Sequence, residues 1–161
     1  MTKRTHNLVH ANLAQPKADI DEAIMKGFSD RMDEIDAQAQ RWPGFVSQPE
    51  LPDEGKVYTG NMILNVSIWE SVETLETFVN NSNHSDILDR PEEGFLDDDH
   101  PPFVLFWIPV AEGVTEQVIK ERFDILQDIG PSPAAFTIER RFTVEAFLTS
   151  GLRRKPNTNL T

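Results

Sequence analysis

The sequence predicts an α+β fold of ferredoxin-like type, a βαββαβ sandwich with an added C-terminal helix and short strand. Three observations lead there. Apolar residues switch between a period of two and a period near 3.6 along the chain, in the order strand, helix, strand, strand, helix, strand. The 161 residues suffice for one core, and 39% of them are hydrophobic. No run of apolar residues is long enough to span a bilayer.

In order, Leu8–Ala14 alternate, with Val9, Ala11 and Leu13 on one face and His10 and Asn12 on the other. Pro16 ends this strand. Over 19–41, Ile20, Ile24, Phe28, Met32, Ile35 and Ala39 recur at helical spacing, with Asp19 or Asp21 as cap and Trp42-Pro43-Gly44 as stop. A short strand is expected at 45–48. Residues 61–69 form the clearest strand, with Met62, Leu64, Val66 and Ile68 opposed to Ile63, Asn65, Ser67 and Trp69. Ser71 is suited to cap a helix over 72–80, in which Val72, Leu75, Phe78 and Val79 form the buried stripe. Residues 81–96 read as a broken helical segment. The nearly all-apolar Phe103–Pro109 suits a central strand. A helix is expected over 115–129, ended by Gly130-Pro131, and a final short strand over 136–142. The domain then spans 8–142, with a flexible N-terminus at 1–7 and a C-terminal extension at 143–161 ending in a frayed basic tail.

Composition narrows the function. Net charge is −12, so nucleic acid and anionic membranes are poor partners. Cysteine is absent, which excludes disulfides, thiolate metal sites and a cysteine nucleophile and fits a cytoplasmic protein. The start of the chain lacks the apolar core of a secretion signal. Asp97, Asp98, Asp99 and His100 form an acidic turn without metal-ligand spacing, and no metal is expected. Phosphate-cradling glycine loops are missing, so no tightly bound nucleotide cofactor is expected.

The alternation points to a site. The helices are expected on the face of Val9, Ala11, Leu13, Leu64, Val66, Ile68, Val104, Phe106 and Ile108, and the opposite face carries His10, Asn12, Asn65, Ser67, Trp69, Phe103, Leu105 and Trp107. Aromatic walls with a few hydrogen-bonding groups suit either a pocket for a small hydrophobic or aromatic molecule or a seam between two subunits.

The run Val66-Ser67-Ile68-Trp69-Glu70-Ser71, then Phe78-Val79, Ser82 and His84, with Trp42-Pro43-Gly44-Phe45, Phe103–Pro109 and Gly130–Thr137, resembles the domain-of-unknown-function family numbered 3291. That family is similar in fold to the dimeric α/β-barrel superfamily, which includes antibiotic-biosynthesis-type and haem-degrading monooxygenases. The resemblance implies a homodimer with facing sheets and a cavity in each subunit, and it puts His84 near the pocket rim. Three functions follow as expectations. One is a cofactor-independent monooxygenase-like or cyclase/isomerase-like enzyme, in which His84 or His10 takes a proton from an aromatic or enolisable polyketide-like substrate while Asn65 and Asn12 hold the enolate. In it, Ser67, Trp69, Phe103, Leu105 and Trp107 complete the substrate-binding wall. The second is haem binding or degradation through His84. The third is a non-catalytic ligand-binding dimer.

Overall fold

The structure is a computed structural model, and it describes residues 4–14, 22–51, 57–58, 62–81 and 103–150. Its strands are β1 (His6–Ala14), β2 (Phe45–Ser47), β3 (Ile63–Trp69) and β4 (Phe103–Pro109). Its helices are α1 (Glu22–Gln40), α2 (Val72–Asn81), α3 (Glu116–Ile129) and α4 (Val144–Thr149). The sheet order is β2-β3-β1-β4 and every pairing is antiparallel. This is the ferredoxin-like α+β arrangement that the element order predicts.

Local chemistry sets the ends of the helices. The Ser71 hydroxyl accepts from the Thr74 amide at 3.2 Å and starts α2. Thr115 accepts from the Val118 amide at 3.2 Å and starts α3. Gly130, at φ 76°, donates its N–H to Leu126 O at 2.9 Å and ends that helix. Gly44, at φ 92°, turns the chain from α1 into β2.

The faces of the sheet are used differently from the expectation. One core joins Val9, Ala11, Val66, Ile68, Val104, Phe106 and Ile108 to Val114, Ile119, Phe123 and Leu126, so α3 covers the smooth aliphatic face. A second core joins Leu8, Trp69, Leu105 and Trp107 to Ile35 and Ala39 of α1 and to Val72, Leu75 and Phe78 of α2. The two crossover helices therefore lie on the mixed polar–aromatic face. The reason is chirality. β1 runs parallel to β2, and β3 to β4, so both connections are crossovers whose right-handedness places α1 and α2 on one side of the sheet. Alternation along a strand separates two faces but carries no information about handedness. α3 follows the last strand, is free of that constraint, and closes the other side.

β4 is likewise an edge strand rather than a central one. Its apolar run is explained by burial on both faces, with Val104, Phe106 and Ile108 in one core and Leu105 and Trp107 in the other. Its outer edge is partly capped. Leu105 and Phe136 exchange N–H···O bonds at 2.9 Å in both directions. That single bridge stands where a strand over 136–142 was expected, and α4 follows it. Trp107 Nε1 donates to Phe142 O at 2.9 Å, and Arg141 ties the same stretch to Glu76 of α2 at 2.8 Å. Of the expected segment over 81–96, Asn81 belongs to α2; its remainder, the acidic turn at 97–100 and the tail beyond 150 lie outside the described residues.

Candidate functional site

Between α1 and the sheet lies a cleft lined by His10 and Asn12 of β1, Asn65, Ser67 and Trp69 of β3, Met32, Ile35, Asp36 and Ala39 of α1, Phe45, Gln48, and Leu75 and Phe78 of α2. Strand register assembles the floor. Ser67 pairs with His10 and Asn65 with Asn12 across the β1–β3 ladder, so the polar groups occupy alternate rungs on one face. Helical spacing assembles the roof, because positions 32, 35, 36 and 39 share one face of α1.

The cleft has an aromatic end and a polar end. At the aromatic end, Trp69 lies 5.2 Å from Phe78 and 5.5 Å from Phe45 between ring centroids. At the polar end a hydrogen-bonded row runs inward. Gln40 Nε2 donates to Gln48 Oε1 at 3.3 Å, Gln48 Nε2 to Asn65 Oδ1 at 3.3 Å, and Asn65 Nδ2 to Asp36 Oδ1 at 3.2 Å. This row fixes which way the Asn65 amide points. Trp69 Nε1 donates to Ser67 Oγ at 2.9 Å, leaving the Ser67 hydroxyl proton to be given elsewhere. The Asn12 Oδ1 atom is buried without a hydrogen-bond partner among the described residues. His10 is 4% exposed, with its ring 5.8 Å from that of Phe103. The cavity within the cleft has a volume of about 20 Å³. The enclosed part therefore holds about one water, and a larger ligand needs side chains to yield. Met32, unbranched and on the roof, is the adaptable one.

Of the residues read from sequence, His10, Asn12, Asn65, Ser67 and Trp69 come together here. Phe103, Leu105 and Trp107 share their face but are not part of the cleft lining. Leu105 and Trp107 pack against Phe136 and Phe147. His84 lies outside the described residues. The face does not open toward a partner's sheet, because α1 of the same chain closes it. Asp36 and Gln48 were missed. The signal for Asp36 is legible in retrospect, since it is a carboxylate four positions after Met32 and adjacent to Ile35 on the buried stripe. Gln48 follows a three-residue strand with a register shift, and no periodic signal marks it. No group of three or more His, Asp or Glu residues that could hold a metal occurs among the described residues.

The model of the family described as "Domain of unknown function (DUF3291)" matches residues 7–150. The chain belongs to that family. DUF3291 thus covers every described element from β1 to α4. A comparison with curated proteins gave no match. Among solved structures, MupZ from Pseudomonas fluorescens is similar at 12% identity over 90% of this chain and 94% of its own, with a TM-score of 0.42. PA3566 from Pseudomonas aeruginosa is similar at 11% identity over 71% and 99%, with a TM-score of 0.41. A haem-degrading protein from Mycobacterium tuberculosis is similar at 16% identity over 67% and 98%, with a TM-score of 0.36.

Proposed function

We propose that this DUF3291 protein is a small-molecule enzyme that takes a proton from an aromatic or enolisable substrate held in the cleft between α1 and the sheet. The observation that carries the reading is the convergence of His10, Asn12, Asp36, Gln48, Asn65 and Ser67 on one enclosed space that is otherwise walled by apolar side chains. His10 is buried and the other five are half-buried, and drawing so many polar groups partly out of water costs free energy unless they serve each other or a ligand. Asn12 Oδ1 is closed to solvent and has no hydrogen-bond partner among the described residues.

In this reading His10 is the base, since a neutral imidazole ring nitrogen can take the substrate proton. The Asn65 amide, oriented by Asp36 and Gln48, offers its second N–H to the developing enolate oxygen. Trp69, Phe45 and Phe78 stack against the ring. His84 keeps its candidacy at the rim on sequence grounds. The carbanion then reacts with dioxygen. For a hydroxyanthrone, one oxygen atom becomes a new carbonyl at the ring CH2 carbon, the other leaves as water with the two hydrogens lost from that carbon, and the hydroxyanthraquinone results. The test is oxygen uptake with 2-hydroxyanthrone by wild type and His10→Ala. A fall of about 100-fold in initial rate is expected for the variant, and equal rates would remove His10 from the mechanism.

The described lining does not favour haem, and His84, the expected axial ligand, lies outside the described residues. No lysine or arginine lines the described cleft to meet the propionates, and its one formal charge is the Asp36 carboxylate. Adding haemin is expected to give no Soret shift. A homodimer belongs to the proposal. With α3 over much of the aliphatic face, the half-buried Met62 and Leu64 toward β2 are what a second copy would cover. Light scattering after size exclusion at twice the chain mass supports this, and a monomer contradicts it.

A further inference from the structure

We infer that the cleft selects an uncharged aromatic ligand bearing a hydrogen-bond donor, with Asn12 Oδ1 as the atom that recognises the donor and Asp36 as the group that turns carboxylates away. The inference rests on the proposed small-molecule pocket and names the chemistry of what enters it.

Three features carry it. Asn12 Oδ1 is a buried acceptor with no partner among the described residues, beside His10 on β1 and on the same rung as Asn65. A ligand hydroxyl or N–H placed there satisfies an atom that is otherwise desolvated at a cost. A ligand presenting only an acceptor would set two lone-pair carriers against each other. Asp36 is the one formally charged group on the described lining, and its Oδ1 is engaged by Asn65. The row Gln40–Gln48–Asn65 that supports this carboxylate is made of neutral amides, so no cation of the lining offsets its field. The aromatic end supplies the complementary surface for a flat ring. Neutral and hydroxylated is therefore the ligand the cleft fits.

The experiment is calorimetric titration of the full chain with 1-naphthol, 1-methoxynaphthalene and 1-naphthoate, which share one ring system. The hydroxyl compound is expected to bind at least about tenfold more tightly than the ether, the usual cost of one missing hydrogen bond at a buried acceptor. It is expected to outbind the carboxylate by about tenfold or more, since like charges about 4 Å apart in a partly buried cleft, away from bulk water, repel by more than that factor. In Asp36→Asn, which keeps the side-chain shape, the naphthoate penalty is expected to shrink to within about threefold. In Asn12→Leu, the naphthol–ether difference is expected to vanish. Binding of all three compounds with equal affinity to wild type overturns the inference while leaving the pocket intact. So does naphthoate binding best. Binding of none overturns the pocket itself, and the selectivity with it. The wild-type comparison needs no variant to fold, and unfolding curves for Asp36→Asn and Asn12→Leu exclude collapse as the cause of any change.

Discussion

Replacing Gly44 by alanine tests the geometry that sets Phe45 against Trp69. Gly44 has φ 92°, and an added Cβ would run into Thr74 Cβ and lie 2.5 Å from its Cγ2 and 2.6 Å from its Oγ1. Thr74 cannot simply rotate away. Its Cβ is fixed to the first turn of α2, and its hydroxyl donates to Ser71 O at 3.0 Å. Two costs add. Holding an L-residue at positive φ costs about 1–3 kcal/mol. Forcing extra atoms into packed surroundings costs about 1–3 kcal/mol more. Gly44→Ala is therefore expected to lose about 2–6 kcal/mol, a large share of the ~5–15 kcal/mol typical of a domain. Urea unfolding followed by tryptophan fluorescence measures it. The clash has a signature of its own. Thr74→Gly removes all three contacting atoms, so in that background Gly44→Ala should cost only the backbone strain, and the double-mutant cycle should show about 1–3 kcal/mol of coupling. A loss below about 1 kcal/mol in Gly44→Ala, or no coupling, refutes the reasoning.

Other consequences follow from single contacts. Buried Glu116 accepts from the amides of Val57 and Tyr58 at 3.1 and 3.2 Å, tying the segment before β3 to α3. Glu116→Ala should lose about 2–4 kcal/mol by denaturation, and Glu116→Gln, which keeps an acceptor, clearly less. Tyr58 is the sole tyrosine. Burial, with Asp124 and Glu116 nearby, pushes its hydroxyl from 10.0 up to about 12. The folded state thus holds that proton more tightly, and stability should fall as pH rises from 10 toward 12. Absorbance titration while far-UV dichroism stays native should give a midpoint near 12 rather than 10. Because the Tyr58 hydroxyl is buried without a partner among the described residues, Tyr58→Phe should be neutral or stabilising by up to about 1 kcal/mol. Glu76 is held below its ordinary 4.5 by the hydrogen bond from Arg141. Its contribution is present above that value and fades as pH falls through the lowered one. The stability difference between wild type and Arg141→Gln should therefore shrink under acid, and also with salt, since both groups face solvent.

The sequence discloses what depends on local chemistry and period. The strands at β1, β3 and β4 and the stripe Ile119, Phe123, Leu126 stand where alternation and helical spacing put them. So do the stops at Gly44 and Gly130. The division of the sheet into a smooth face and a face bearing His10, Asn12, Asn65, Ser67 and Trp69 was also legible. What alternation could not supply is which face the crossover helices take, a matter of chirality and strand order. For that reason the pocket was expected to face away from α1 and α2 and in fact lies under α1. The same omission hid Asp36, whose neighbours across the cleft come from strands far along the chain. Trp107 shows the opposite limit. Its place on the right face was readable, but its cover by Phe142 and Phe147 depends on a segment with a single β-bridge and no periodicity of its own.

The central claim is that ligand enters between α1 and the β1–β3 floor. The three tryptophans make a direct reporter, since Trp69 lines the cleft, Trp42 stands behind Phe78, and Trp107 lies under the C-terminal segment. In protein labelled with 5-fluorotryptophan and assigned by single Trp→Phe changes, titration with 1-naphthol should shift the Trp69 fluorine resonance most, saturably, and leave Trp107 nearly fixed. A saturable shift largest at Trp107, or none at Trp69, would contradict the account.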